Sequence, residues 1–191
     1  MNGRKWIEKI EVNPAFVLLF IAFYLADMLE IYFLSLLCAA WHEAGHLFAM
    51  HCLGEKGAHL RIQPFGIRIA TENPRYGSYG GDIFIALAGP LFNLAAAAFF
   101  YVFVGDVGYL TGINLTLFAF NLLPAGTLDG GRALFGLLAL LLPYERAYRA
   151  WRVVSWAAAA ITILVGAGVF YLSGYNISLL VAGIALAVSL I

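Results

Sequence analysis

The pattern that most constrains this chain is a short polar motif inside a long apolar segment. Between residues 31 and 53 the only charged residue is Glu43, within the sequence His42-Glu-Ala-Gly-His46. An apolar segment of this length is typical of a transmembrane helix. An ionisable side chain at membrane depth is costly, and it indicates a functional site by default. The segment therefore predicts a membrane-spanning helix with a site about halfway along it.

The residue types in this motif indicate a metal centre. His42 and His46 are four residues apart, so their rings lie on the same face of a helix. Two such imidazoles can share one Zn²⁺, and Glu43 can accept a proton from a water at that metal. Chance matches to this motif occur, and a buried hydrogen-bonded His-Glu-His cluster is an alternative. Placing three ionisable residues in one turn of a transmembrane helix is energetically unfavourable unless they serve a function. We therefore favour the metal site and predict one zinc per chain.

Composition supports a membrane protein. Of 191 residues, 63% are hydrophobic and 12% are charged, against about 45–50% and about 25% in soluble domains. The net charge is zero, so nothing suggests a nucleic-acid partner. Cys38 and Cys52 both lie in the apolar 31–53 segment, and we interpret them as packing residues and not as a disulfide pair.

Several apolar stretches are long enough to cross a bilayer, or nearly so. The fold class predicted is an all-α polytopic membrane protein with about six spans: Pro14–Met28, Ile31–Leu53, Ile83–Val104, Val107–Leu128, Val153–Leu172 and Ile177–Ile191. A further piece, Ala133–Pro143, is expected to finish the fourth span or to lie at the interface. No small-x-small cleavage site follows the first span, so we interpret it as retained and not as a signal peptide.

The basic residues predict the orientation. With six spans and a cytoplasmic N-terminus, all eleven Lys and Arg residues fall on the cytoplasmic side, whereas Asp27, Glu30 and Asp106 fall on the other. We therefore predict a multi-pass protein of the cell membrane. Because Asp129 lies near the cytoplasmic end of the fourth span, the site is expected to be reached from the cytoplasm.

The connection between spans two and three predicts a hairpin. Residues His59–Gln63 and Ile67–Thr71 alternate apolar and polar side chains around Pro64-Phe-Gly66, which indicates a membrane-associated β-hairpin with a three-residue turn. A purely structural hairpin is one interpretation, and an edge that receives a substrate strand is the other. Without repeats or a separate soluble segment, we predict a single membrane-embedded domain over residues 1–191.

A catalytic zinc usually has three protein ligands, so a third is needed. His51 lies about 140° around the helix from His46 and points away, whereas spacing does not exclude His59. Asp129 is the favoured candidate, since Pro124 and three glycines before Arg132 should break the helix there. Irregular backbone at membrane depth requires burial in protein or a wet cavity. The alternative for Asp129 is a helix-end carboxylate at the surface beside Arg132.

At this point the chain resembles the site-2 proteases, a family of intramembrane zinc metalloproteases. The resemblance rests on three motifs in the family's order: His42-Glu-Ala-Gly-His46, Ala88-Gly-Pro-Leu-Phe-Asn93, and Asn121-Leu-Leu-Pro124 followed by Leu128-Asp-Gly-Gly131. Within the family the chain is most similar to the sporulation type, that of stage IV sporulation protein FB. Thr127 stands where the family pattern has a second proline, and neither a PDZ nor a CBS domain is expected in these residues.

The resemblance implies a role for each matching residue. It makes His42, His46 and Asp129 the zinc ligands and Glu43 the general base. It further implies that Asn121 positions substrate or steadies the oxyanion, and that Asn93 assists. For Asn93, a polar side chain that holds spans together is an equal alternative.

The resemblance also implies the substrate and partners. The substrate class is a membrane-tethered pro-sigma factor in sporulation, with anti-sigma factors and remnant signal peptides as alternatives, and inhibitory membrane partners are implied. A non-catalytic binding or chaperone protein is a rival function, which an intact Glu43 disfavours. A metal transporter is a second rival, but internal repeats and a path of polar groups are missing from the sequence.

Overall fold

The computed structural model describes residues 7–12, 20–21, 23–54, 58–63, 66–70, 79–105 and 108–191. Seven of the fifteen residues of the predicted first span, Pro14–Met28, lie outside these residues, as do Asp106 and Thr71. The described helices are α1 (Leu29–Cys52), α2 (Tyr79–Phe99), α3 (Tyr109–Asn121), α4 (Asp129–Leu141), α5 (Tyr144–Ser173) and α6 (Ser178–Val188). The strands are β1 (Ile7–Val12), β2 (Ala58–Gln63) and β3 (Gly66–Ala70).

The strands form one small sheet in the order β1-β2-β3. Strands β2 and β3 are antiparallel, and Gln63 pairs with Gly66, so Gly66 belongs to β3 and not to the predicted turn. The other two turn residues, Pro64 and Phe65, lie outside the described residues. Strand β1 was not predicted. It pairs in parallel with β2, with a register shift between Ile7 and Ile10, and this irregularity explains why the alternation that indicates a strand is weak there.

By internal contacts the chain forms two units. The first comprises Met1–Gly77 and Ala88–Phe120, and it contains α1, α3, the sheet and most of α2. In this unit β3 contacts α1. Helix α2 contains Pro90 and continues into a π-helical turn, Phe100–Val104.

The second unit comprises Ser78–Leu87 and Asn121–Ile191. Its helices α5 and α6 pack closely because glycines meet backbone: a Cβ on Gly166 would lie 2.5 Å from the nitrogen of Leu180, and one on Gly183 would lie 2.8 Å from that of Ile163. Small residues at such contacts are typical of helix packing in membranes. An aromatic cluster joins α2, α4 and α5 in this unit through Tyr79, Phe135, Tyr144, Tyr148 and Trp151.

Several of the described buried side chains are polar, and many of the exposed ones are large and apolar. The largest fully buried side chains in the described residues are Asn93, Asn114, Pro90 and Ser155, whereas Leu37, Phe103 and Leu164 are 64%, 77% and 71% exposed. Large apolar side chains on the outside and hydrogen-bonded polar ones between helices suit an apolar surrounding. This distribution supports the membrane assignment independently of hydropathy.

Two of the described helices are long and apolar enough to cross a bilayer by length and composition, Tyr79–Val104 and Tyr144–Ser173. Helix α6 is apolar but shorter, and α1 has 24 residues but is less apolar, as expected of a helix that carries His42, Glu43 and His46. In place of the predicted fourth span, Val107–Leu128, the structure has α3, which ends at Asn121, and then a separate helix, α4.

Candidate metal centre

The two predicted histidine ligands lie together inside the first unit. His42 and His46 are each 6% exposed, and their Nε2 atoms are 3.1 Å apart. With Glu43 they form a group whose ligand atoms all lie within 4.8 Å of one another. The half-buried Glu43 is on the same turn of α1. The local periodicity of the helix produces this grouping, as the sequence predicted.

The arrangement suits zinc. Two ligands of a tetrahedral zinc, each about 2.0–2.1 Å from the metal, lie about 3.3 Å apart. The separation of the two Nε2 atoms is close to this value. Two imidazoles with a neighbouring carboxylate are also the donor types that zinc prefers. The residues present therefore fit the metal.

Helix α2 packs closely against α1, and the missing side chain of Gly89 leaves room for the histidine rings. A Cβ on Gly89 would lie 2.7 Å from His42 Nε2 and would also collide with His46 Nε2. A Cβ on Gly45 would lie 2.7 Å from the carbonyl oxygen of Ala88. The indole of Trp41 donates a hydrogen bond to the carbonyl of Phe92 across the same contact, at 3.0 Å. Glycines on both helices thus let the backbones approach, and the backbone of α2 at Gly89 faces the Nε2 atoms of His42 and His46.

Asn93 lies behind the histidine pair, in contact with His42. Its side chain is fully buried, and Oδ1 is 2.6 Å from His42 Nδ1. Its Nδ2 donates to the carbonyl of Cys38 at 3.2 Å and to Asn114 Oδ1 at 2.7 Å. These contacts match the alternative of a polar side chain that holds helices together, and a contact of Asn93 with substrate stays a prediction. The sequence singled out Asn93 but gave no signal for its partner, 51 residues away.

Asp129 lies in the second unit as the first residue of α4, and it is buried. A carboxylate in the first turn of a helix is stabilised by the positive end of the helix dipole. Arg132 Nη1 lies 3.6 Å from Asp129 Oδ1, but that arginine is half exposed, so the pair is a weak one. Asp129 as third ligand stays a prediction.

The break before Asp129 is held by backbone contacts and two side chains. A Cβ on Gly130 would collide with the carbonyl of Leu122, and one on Gly131 would lie 2.7 Å from the Gly126 oxygen, which explains the adjacent glycines. Ser155 Oγ accepts a hydrogen bond from Gly126 N–H at 3.1 Å. The Trp151 indole donates to the Gly131 carbonyl at 2.9 Å. The helix breaks here although this chain has Thr127 where the site-2 protease pattern has a second proline.

The other candidate residues lie in α3, α1 and β2. Asn121 is half-buried and ends α3, directly before the break. His51 is exposed near the end of α1. The backbone of His59 lies in β2, paired with Ala70. Both cysteines are free, and Cys38 is buried as expected of a packing residue, whereas Cys52 is exposed and the packing interpretation is wrong for it.

Comparison with known proteins identifies relatives. No protein-family model matches the chain. The chain is 28% identical to stage IV sporulation protein FB of Bacillus subtilis, over 97% of this chain and 67% of that protein. It is 29% identical to a zinc metalloprotease of Methanocaldococcus jannaschii, over 65% of this chain and 39% of that protein.

The fold is also that of a solved structure. A site-2 protease from Methanocaldococcus jannaschii matches with a TM-score of 0.68 at 21% identity, over all of this chain and 92% of that one. The chain is a membrane-embedded zinc metalloprotease. In sequence it is similar to stage IV sporulation protein FB, and in fold it is similar to a site-2 protease.

Proposed function

We propose that the chain hydrolyses a peptide bond in or near a transmembrane segment of a membrane-tethered protein. The observation that carries the proposal is the buried pair of Nε2 atoms, 3.1 Å apart, beside Glu43. The helix that carries them presents large apolar side chains outward, among them Phe33, Leu37 and Phe48. A hydrolytic group on such a helix acts on substrates that share its apolar surroundings.

Each candidate residue has a separate role in the proposed hydrolysis. His42, His46 and Asp129 would hold the zinc, which when bound polarises the scissile carbonyl and lowers the pKa of water toward 7. The Glu43 carboxylate accepts the proton of the attacking water and then passes it to the leaving amine. Asn121, at the helix break, donates a hydrogen bond that orients the substrate or stabilises the developing oxyanion.

We propose that the chain crosses the membrane six times as one protease domain, with its N-terminus in the cytoplasm. The support is the basic residues, all eleven of which fall on one side under that topology. The exposed apolar side chains on α1, α2 and α5 agree with it. Substrate and water then reach Glu43 from the cytoplasmic side.

The small sheet is the proposed docking place for an extended substrate. A transmembrane helix hides its peptide bonds, so the cleaved segment must become extended first. Among the described strands, β1 and β3 form the two edges of the sheet, and β3 contacts α1, the helix that carries Glu43. A substrate strand paired with β3 would therefore lie beside the catalytic helix.

The proposed substrate is a membrane-tethered pro-sigma factor, and the proposed role is regulated proteolysis during sporulation. The support is the similarity to a sporulation protein over 97% of the chain. Membrane partners that hold the protease inactive belong to the same proposal. Anti-sigma factors and remnant signal peptides are the alternative substrates, and a parallel cleavage assay with each of the three separates them.

Glu43→Gln tests the function. In purified protein, the variant should keep one zinc per chain and lose cleavage of a tethered pro-sigma substrate by at least about 100-fold, because the general base is gone. Glu30→Gln is the matched control, since Glu30 is an exposed acidic residue on the same helix, and it should cleave normally. Cleavage retained by Glu43→Gln would refute the assignment of the base.

A further inference from the structure

The amide orientations behind His42 determine one another. The Nδ2 of Asn114 faces two acceptors, the carbonyl of Leu110 at 2.9 Å and Cys38 Sγ at 3.2 Å. Its Oδ1 therefore points the other way, toward Asn93 Nδ2 at 2.7 Å. Asn93 Nδ2 also faces the Cys38 carbonyl, so it is the donor end of that amide. If the oxygen and nitrogen of either amide were exchanged, the amide oxygen would face a carbonyl oxygen, that of Cys38 for Asn93 or that of Leu110 for Asn114.

The chain of amides ends on a metal-ligand histidine. With Asn93 Nδ2 committed to two acceptors, Oδ1 is the atom 2.6 Å from His42 Nδ1. An amide oxygen only accepts, so Nδ1 must carry the hydrogen. The lone pair of the neutral ring is then on Nε2, the nitrogen that faces His46. Asn93 and Asn114 are 0% and 1% exposed, so water does not compete for these bonds.

We propose that Asn93, oriented by Asn114, is a positioning residue that holds His42 as the Nδ1–H tautomer with Nε2 directed at the metal position. Ligand histidines commonly donate their second ring N–H to a protein acceptor, and loss of that acceptor weakens metal binding by about 10–100-fold. Here the acceptor is a neutral amide, and its own orientation is set by a second amide on α3. The inference rests on the proposed role of His42 as a ligand.

The test compares two substitutions at one position. Asn93→Leu removes the acceptor and keeps the shape, whereas Asn93→Asp keeps an acceptor oxygen and removes both Nδ2 donor bonds. Zinc affinity is measured on purified protein by competition with a chelator of known affinity. We expect Asn93→Leu to bind zinc about 10–100-fold more weakly and Asn93→Asp to stay within about threefold of the parent chain.

A merely structural role predicts a different result. If Asn93 only ties α2 to its neighbours, Asn93→Asp should be impaired as much as Asn93→Leu, because it loses the bonds to Cys38 and Asn114. Equal affinities of the parent and Asn93→Leu, or equal losses in both variants, would overturn the proposal. Folding is followed by a thiol-reactive dye in a Cys52→Ser background, in which the buried Cys38 reacts only on unfolding.

A second measurement needs no substitution at Asn93. Nitrogen NMR of metal-free protein with ring-labelled histidine reports which ring nitrogen of each of the four histidines carries hydrogen. His51→Gln and His59→Gln remove the signals of the other two rings. Hydrogen on Nδ1 of His42 supports the proposal, and hydrogen on its Nε2 alone refutes it. A parent chain that shows this tautomer but binds no zinc would refute the proposed function and leave the amide arrangement standing.

Discussion

The missing side chain of Gly89 leaves the space in front of His42 open, since a Cβ there would lie 2.7 Å from His42 Nε2. The same atom would collide with His46 Nε2. The backbone of α2 therefore forms one wall of the metal position. A side chain at residue 89 and a metal between the imidazoles would compete for the same space.

Gly89→Ala should therefore lose zinc without general unfolding. We expect metal content to fall from one per chain to less than about a tenth, and cleavage to fall at least about tenfold, because the methyl group displaces both rings. Metal analysis of purified protein measures the first effect. Gly112→Ala, in α3, is the matched control, since its Cβ would meet nothing within 4 Å. Full zinc in Gly89→Ala would contradict the prediction.

Asp129→Ala should lose zinc, because two histidines alone leave the usual set of three ligands incomplete. Metal analysis after dialysis against a weak chelator measures the loss. Glu145→Ala is the control, since Glu145 is also an acidic residue in the first turn of a helix but is exposed. If Asp129→Ala holds zinc at the parent stoichiometry, Asp129 is not the third ligand, and His59→Ala becomes the next variant.

Ser155→Ala should destabilise the segment before Asp129. It leaves the N–H of Gly126 without its buried acceptor, which costs about 1–3 kcal/mol. Thermal unfolding in detergent, followed by circular dichroism, should show a lower midpoint. Thr116→Ala removes an exposed hydroxyl that bonds the Gly112 carbonyl, and its midpoint should stay close to that of the parent chain. Equal midpoints for all three proteins would rule out this role of Ser155.

Gly166→Ala should separate α5 from α6. Its Cβ would lie 2.5 Å from the Leu180 nitrogen and 2.6 Å from its Cα, so the backbones must move apart, at a cost of about 1–3 kcal/mol. Gly168→Ala, two residues along the same helix, meets nothing within 4 Å and should not lower the unfolding midpoint. The difference between these midpoints measures the contact, and no difference would refute it.

The sequence by itself determined the features that depend on local chain geometry. Helical spacing brings His42 and His46 together whatever surrounds them, and Pro124 with the glycines around Asp129 ends one helix and starts another. The apolar composition likewise indicated a membrane protein without any knowledge of its packing. These features follow from interactions between near neighbours in the chain.

Only the tertiary structure decided the features that depend on distant residues. Asn93 meets His42 from 51 positions away, and the same amide could have faced a substrate had the helices packed differently. The parallel pairing of β1 with β2 was likewise not predicted, because apolar and polar residues do not alternate regularly along the sequence of residues 7–12. The type of a side chain limits which bonds it can make, but packing determines which partner is within 3 Å, and here packing brings Asn93 against His42.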